Sequence, residues 1–91
     1  MNDKRISLKL YVTGQTPRSE QAIVNLNRLC EARWPDQYTL DIIDVLEQPH
    51  LAEEDGIVAT PTLIKTAPRP TRRIIGDLSE TQKVLNGLGL L

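Results

Sequence analysis

The chain has 91 residues, of which 40% are hydrophobic, and this length supports one small soluble domain rather than two. With 11 Lys and Arg against 12 Asp and Glu, the formal net charge is −1, so no global field draws the protein to nucleic acid or an anionic membrane. A single cysteine, Cys30, excludes an internal disulfide, a CxxC redox pair and a cysteine metal cluster. The amino terminus lacks the apolar core of a signal peptide, so we expect a cytoplasmic protein.

The first elements are clear from their periodicity. Residues 6–13 alternate between apolar and polar side chains, which is the two-residue period of a β-strand. A turn cluster follows over residues 14–17. From Ser19 onward apolar residues recur at intervals of three and four, which predicts an amphipathic helix that ends near Trp34.

A second strand is predicted after this helix. Residues 38–45 resume the strand period, and the additional apolar residues Ile43 and Val45 predict that this strand is buried on both faces, as in a parallel sheet. Strand, helix and strand in this order predict a right-handed βαβ crossover.

Proline and glycine interrupt the second half of the chain, so every element there is expected to be short. Pro49 suits the first turn of a brief helix, because its missing N–H does no harm there. Residues 62–66 and 72–75 have the composition of two short strands. The Ala-Pro-Arg-Pro turn at residues 67–70 separates them and predicts a hairpin.

The chain is predicted to close with a helix. Ser79 and Gln82 have the spacing of a capping box, which is typical of a helix start. Gly87 and Gly89 are expected to weaken this helix by about 1 kcal/mol each relative to alanine. The apolar residues that continue it at helical period are Val84, Leu85, Leu88 and Leu91.

The order of these elements is that of an α/β thioredoxin-like fold in a single domain spanning residues 1–91. Pro61 stands where that fold carries a cis-proline, just before its third strand. We therefore predict a cis Thr60–Pro61 bond, although a trans proline in an ordinary loop is the alternative that base rates favour.

Several blocks of the chain resemble the KaiB family in order and spacing. The sensory domain of the clock kinase SasA is similar too. The blocks are 8–12 with Gly14 and 16–17, then 43–46, 51–55, 59–63 and 72–79.

The resemblance implies a metamorphic, non-catalytic protein. The resemblance further implies two states. One is an oligomeric ground state, a dimer or tetramer with a rearranged C-terminal half, and the other is a rarer thioredoxin-like state that docks on the ring ATPase KaiC. Short, interrupted elements in the second half are consistent with two arrangements of similar energy. We expect the thioredoxin-like one here, because a helix cap favours it by about 1 kcal/mol. The candidate switch residues are Pro61, Pro68, Pro70, Gly87 and Gly89.

Candidate catalytic and metal-binding residues are few, so we expect neither an enzyme nor a cofactor. The 14–17 turn, where thioredoxins carry their active site, has no cysteine. A glutathione-type enzyme is the alternative, but Gln15 and Thr16 are poor substitutes for a residue that activates sulfur. Cys30 is predicted to be a buried hydrophobe and His50 a solvated surface residue. The acidic run 53–55 is predicted to be a solvated or partner-facing patch, because neighbouring helical residues diverge.

A local basic strip is the candidate for partner binding. Arg72 and Arg73 lie near Lys65 and Arg69, and the scarcity of aromatic residues argues against nucleic acid. The resemblance implies a KaiC-like ATPase as partner, with KaiA- or SasA-like clock proteins as further ones. A stress-response adaptor with another protein partner is the alternative. The predicted docking contacts are Thr39, Asp41, Arg72 and Arg73.

Overall fold

A computed structural model describes residues 5–90 of the chain. The predicted strands and helices are all present, with bounds that differ from the expected ones by a few residues. In chain order they are β1 (Ile6–Val12), α1 (Pro17–Arg33), β2 (Tyr38–Asp44), α2 (Pro49–Glu54), β3 (Thr62–Ala67), β4 (Arg72–Ile75) and α3 (Thr81–Gly87).

The four strands form one sheet in the order β2-β1-β3-β4. β1 is parallel to β2 and antiparallel to β3, and β4 is antiparallel to β3, so the predicted parallel crossover and hairpin are confirmed. The predicted two-sided burial of β2 is wrong. β2 is an edge strand with a neighbour on one side only, and its Ile42 side chain is 44% exposed.

Helices lie on both faces of the sheet, but unequally. α1 and α3 contribute to a large core on one face, which includes Leu8, Leu10 and Leu63. On the other face, α2 contributes Ala52 to a small cluster with Tyr11 and Ile64. Because α2 has only six residues, it covers only part of its face. Within the described residues, no helix combines the length and apolar character needed to cross a membrane.

α1 begins and ends with local hydrogen bonds. The Ser19 amide donates to Thr16 Oγ1 at 3.1 Å, and Pro17 occupies the first turn, where its missing donor costs nothing. At the other end, the Trp34 amide donates to the carbonyl of Cys30 at 2.8 Å. The Cys30 side chain is 0% exposed within the large core, so its predicted burial is confirmed.

The proline-rich turn is held by Lys65, a residue of the predicted basic strip. Lys65 is only 2% exposed, so its assignment to a surface strip is wrong. Its ammonium group donates to the carbonyl of Pro68, and to that of Pro70 at 2.9 Å. The reason is that β3 is a central strand and that the sheet register places Lys65 beside Leu8 of the large core. The Thr60–Pro61 bond is cis, as predicted, and so are the bonds that precede Pro68 and Pro70.

The predicted capping box of α3 is wrong. Leu78 adopts a φ of 64°, which turns the chain just before the expected cap. The Ser79 amide then donates to Asp77 Oδ1 at 3.1 Å, and Glu80 takes the N-cap position without a side-chain cap bond. The helix itself is confirmed, but it begins at Thr81.

The end of α3 shows what Gly89 does. It lies beyond the last helical residue with a φ of 70°, a conformation that favours glycine. The Leu90 amide donates back to the Leu85 carbonyl at 2.9 Å, which closes the helix. Gly89 therefore terminates α3 rather than weakening its interior. The predicted contribution of Leu91 lies outside the described residues.

Candidate protein-docking face

The sheet face that carries α2 has a polar half that this helix leaves uncovered. The strand period of β1 directs Lys9 to this face, away from the large core. In the register of the sheet, Lys9 lies beside Asp41 of β2 and Ile64 of β3, and Ile64 lies beside Arg73 of β4. One acidic and two basic side chains therefore lie in a row across the whole sheet, with Ile64 between the two basic ones.

A second, uncharged pair extends this row toward the start of β2. Ser7 and Thr39 are register neighbours on β1 and β2, and Thr39 Oγ1 donates to Ser7 Oγ at 3.4 Å. Thr39 and Asp41 are exposed, as is Arg73 on the far edge. We call this surface the open face and define it by Ser7, Lys9, Thr39, Asp41 and Arg73.

The open face borders a hydrogen-bond cluster at the end of α2. Lys9 Nζ and Tyr11 Oη both donate to Asp55 Oδ2, at 3.2 Å and 2.6 Å. Arg73 donates through Nη2 to the Asp55 carbonyl at 2.7 Å and through Nη1 to the Gly56 carbonyl at 3.4 Å. These bonds fix β1 and β4 to the segment that follows α2, so the open face is preorganised.

The cluster also sets the ionisation of its members. The hydrogen bond from Tyr11 is the largest cause lowering the pKa of Asp55, and Lys9 and Arg73 lower it further against partial burial. Burial raises the pKa of Tyr11, and the neighbouring Asp55 carboxylate raises it again. Asp55 is therefore an anion at neutral pH, held between two cations.

The structure brings together three of the four predicted docking residues. Thr39, Asp41 and Arg73 share the open face. Arg72 lies on the opposite face, because successive residues of a strand point to opposite sides. It is the register neighbour of Lys65, and its Nε would lie 3.6 Å from a Cβ built on Gly89. Arg72 is thus separated from the other three, and partner binding by any of them stays a prediction.

The cluster of Lys9, Tyr11 and Asp55 is not apparent from the sequence. Asp55 lies 44 residues from Tyr11 in the chain, so local spacing carries no information about this contact. The alternation of β1 was the available signal, because it places Lys9 and Tyr11 together on the face opposite the buried leucines.

The turn over residues 14–17, where thioredoxins carry their active site, is held by a hydrogen bond from its backbone. The Gly14 amide donates to Asp44 Oδ1 at 3.1 Å, which fixes the turn between β1 and α1.

Burial, followed by the nearby charge of Glu31, raises the pKa of the Cys30 thiol to about 12. His50 is exposed, as predicted. Over residues 5–90, no three His, Cys, Asp or Glu side chains are placed to share a metal ion.

The candidate switch residues occupy three different settings. Pro61 is buried, and its carbonyl accepts from the Gly76 amide at 3.1 Å. Pro68 and Pro70 are exposed in the turn that Lys65 holds. Gly87 packs so closely that a Cβ there would lie 3.0 Å from Ile74 Cδ1. A switching role for these residues, and for Gly89, stays a prediction.

Comparisons with known structures identify the fold. The N-terminal domain of SasA from Synechococcus elongatus superposes with a TM-score of 0.77 at 23% identity, over 100% of this chain and 90% of that domain. Mitochondrial thioredoxin 3 from Saccharomyces cerevisiae gives a TM-score of 0.75 at 21% identity, over 100% of this chain and 81% of that one. The fold is therefore thioredoxin-like.

Comparisons of sequence identify the family. The chain is 56% identical to circadian clock protein KaiB3 of Synechocystis sp., over 100% of this chain and 89% of that protein. It is 57% identical to the circadian clock oscillator protein KaiB of Thermosynechococcus vestitus, over 97% of this chain and 82% of that protein. The KaiB domain profile matches residues 9–90. The chain belongs to the KaiB family.

Proposed function

We propose that this protein is a non-catalytic adaptor that docks on a KaiC-like ring ATPase and modulates its circadian or timing output. Membership of the KaiB family supports this, because the relatives compared are named as circadian clock proteins. The structural observation that carries the proposal is the open face, a preorganised polar surface that extends across one face of the sheet from β2 to β4.

Charge of both signs makes the open face suitable for specific docking. Asp41 offers a carboxylate at one edge and Arg73 a guanidinium at the other, so a partner with the complementary pattern binds in one orientation. β2 also ends the sheet, and an edge strand is a ready site for pairing with another chain. The exposed Ile42 adds apolar area at the same edge.

The absence of catalysis is part of the proposal. Thiol chemistry needs an accessible thiolate, whereas Cys30 is buried and burial raises its pKa. In an insulin-reduction assay, we expect the protein to show the same background rate as its Cys30→Ala variant. Turnover above that variant would contradict a non-catalytic role.

The proposed partners and states follow the family resemblance. KaiA- or SasA-like clock proteins are proposed as further partners, and a dimer or tetramer as the form of the alternative ground state, with residues 1–91 forming one domain. We propose a cytoplasmic location and neither nucleic acid nor membrane as a partner, since the net charge is only −1.

The test is a pulldown with purified ring ATPases of the KaiC type. We expect Asp41→Lys and Arg73→Glu each to weaken binding about tenfold, because each reverses a charge on the open face. Arg72→Glu separates the two faces, since it reverses the neighbouring charge on the opposite side of the sheet. If docking is confined to the open face, it changes affinity by less than about twofold, and a larger loss would keep Arg72 as a contact.

Circular dichroism must first show that the Arg73 variant keeps its fold, since Arg73 also donates to the Asp55 carbonyl. Asp41→Lys removes no hydrogen bond recorded for the described residues and tests docking without this complication. Equal affinity of all three variants would overturn the assignment of the open face. Absence of any ring binding would leave an adaptor for another partner, such as one in a stress response.

A further inference from the structure

A groove runs along the seam between α1 and the loop that leads into α3, on the side of the sheet away from the open face. It consists of two adjoining hollows of about 290 and 250 Å³, and Leu78 and Ser79 line both of them. The first hollow extends to Arg18 near the start of α1, and the second to Arg33 at its end. We call this feature the seam groove.

Positive charge exceeds negative charge in the lining of the seam groove, which has four cationic and two acidic residues in the described part of the chain, and Asp77 offsets only part of the charge of Arg18. Arg18, Arg28 and Arg33 all project from α1, and within residues 5–90 none of them has a carboxylate oxygen within 4.0 Å. The acidic residues of the lining are already engaged. Glu80 pairs with Lys83 at 3.4 Å, and the Asp77 carboxylate accepts from the Ser79 amide at 3.1 Å.

The loop that forms one wall of the seam groove is held in place by a hydrogen bond to α1 and by the packing of Leu78. Asn25 Nδ2 donates to the Asp77 carbonyl at 2.8 Å, which ties the loop to α1. Leu78 keeps a φ of 64°, unusual for a bulky residue, while its side chain is 8% exposed in the core. Backbone strain of this kind persists where the surroundings enforce it and is common at binding sites. A ligand would meet a preformed surface and spend little free energy on ordering it.

We propose that the seam groove docks an extended acidic segment of a partner protein. The rise along α1 from Arg18 to Arg33 is about 22 Å, at about 1.5 Å per residue. An extended chain advances about 3.3 Å per residue, so six or seven residues span the arginines. Carboxylates near both ends of such a segment face guanidinium groups of α1, and an apolar side chain between them lies over Leu78.

Protein is a better occupant than nucleic acid. Single-stranded nucleic acid is held chiefly by stacking of its bases on aromatic side chains. Of the described residues that line the two hollows, none is aromatic. Apolar side chains, including Ile74 and Val84, line the first hollow instead.

Fluorescence anisotropy with a defined probe tests the proposal. The probe is a labelled heptapeptide with two glutamates at each end and a central leucine. A second peptide carries glutamine at every glutamate, and an oligothymidine serves as a non-protein polyanion. We expect the acidic peptide to bind at least about tenfold more tightly than the glutamine peptide, and more tightly than the oligothymidine.

Charge-reversal variants locate the binding. Arg18→Glu and Arg28→Glu are each expected to weaken the acidic peptide about fivefold or more, whereas Arg69→Glu, in the exposed 67–70 turn, is expected to change its affinity by less than about twofold. Amide chemical-shift changes on titration are expected to concentrate in residues 18–33 and 74–84.

Three results would overturn the proposal: no binding of the acidic peptide at millimolar concentration, equal weakening by Arg69→Glu, or oligothymidine binding as tightly as the peptide. Binding to the ring ATPase is a separate readout. Arg18→Glu and Arg28→Glu are expected to leave it unchanged, because the open face lies on the other side of the sheet. Failure of the seam groove is thus distinguishable from failure of the proposed function.

Discussion

At the scale of single residues, Asp55 is the member of the acidic run 53–55 that connects two strands of the sheet. It accepts hydrogen bonds from Lys9 and Tyr11 of β1, while its carbonyl accepts from Arg73 of β4. Glu53 and Glu54 precede it and are both exposed. The acidic run therefore contains one structural carboxylate and two solvated ones, and the prediction of a solvated or partner-facing patch is wrong at Asp55, whose carboxylate bonds within the fold.

Replacing Asp55 by asparagine tests this assignment. We expect Asp55→Asn to lower the free energy of unfolding by about 1–3 kcal/mol at pH 7, because two hydrogen bonds lose their charged acceptor. Glu53→Gln removes the same charge from an exposed position and is expected to cost less than about 0.5 kcal/mol. Urea unfolding measures both. Equal costs would show that the cluster contributes nothing specific.

The same variant carries a pH signature. The pKa of Asp55 is lower in the folded protein than its ordinary value. A depressed carboxyl pKa contributes stability that is complete above the unfolded value of about 4 and is lost as the pH falls through the folded value. The stability difference between wild type and Asp55→Asn is therefore expected to shrink below about pH 4. A difference that grows on acidification would contradict the assignment.

Cys30 gives a second prediction at this scale. Its thiol is buried, and burial is the main cause that raises its pKa to about 12, so almost no reactive thiolate exists at pH 8. We expect iodoacetamide to leave native protein unmodified over a period in which protein unfolded in urea is fully alkylated, as measured by intact mass. Alkylation of native protein at the unfolded rate would show that the thiol is accessible and available for regulation.

At the scale of elements, α3 has a weak start and a well-formed end. Glu80 occupies the N-cap without a side-chain hydrogen bond, whereas Gly89 and the Leu90 amide close the other end. Aspartate is among the best N-cap residues. Glu80→Asp keeps the charge and is expected to raise the free energy of unfolding by about 0.5–1 kcal/mol, measured by urea unfolding. Glu80→Ala removes the charge without supplying a cap and is expected to bring no gain, so stabilisation by both variants would refute the capping explanation.

Local pattern predicted which elements form, but not their neighbours. The period of α1 is sufficient because the helix has one buried face. That of β1 is sufficient because its leucines line the large core, and Tyr11 alone is buried on the other side of the strand. β2 was misjudged because strand order depends on contacts distant in the chain, and an edge position left Ile42 exposed. The start of α3 differs from the prediction because the chain turns at Leu78, and the N-cap is Glu80 instead of Ser79, one residue later.

The candidate site was predicted in part for the same reasons. Thr39 and Asp41 are predicted as docking contacts, and both are exposed, as a docking contact must be. Arg72 and Arg73 were grouped by adjacency, although the strand period already implied that they diverge. The burial of Lys65 depends on the central position of β3, which no local pattern reveals.

At the scale of the whole molecule, the helix cap predicted at Ser79 does not explain why the second half of the chain adopts the thioredoxin-like arrangement. The predicted cap at Ser79 is absent, so the roughly 1 kcal/mol assigned to it no longer favours the thioredoxin-like fold. Burial of Val84, Leu85 and Leu88 is complete or nearly so, but any fold that buries them gains similarly. The termination of α3 by Gly89 is specific to the helical arrangement.

Backbone chemical shifts test this preference directly. We expect the major form in solution to show helical shifts over residues 81–87. Gly89→Ala is expected to destabilise that form by about 1 kcal/mol, because alanine opposes the positive φ, and thus to enlarge any minor form several-fold. Asn86→Ala, at an exposed position within α3, is the control expected to lack this effect. Strand shifts over residues 84–90 as the major species, with a tetrameric mass, would show that the alternative fold dominates.

Because the amine of Lys65 is buried, its chemical labelling reports whether the proline-rich turn is in place. Acylating reagents modify free lysine amines in water, and the amine of Lys65 is withdrawn from solvent among the carbonyls of the proline-rich turn. Lys83, on the surface of α3, is open to such reagents and provides an internal reference. The ratio of acylation at these two lysines is therefore a covalent footprint of the turn. It records the arrangement of β3 and its hairpin in mixtures where the protein is one component among many.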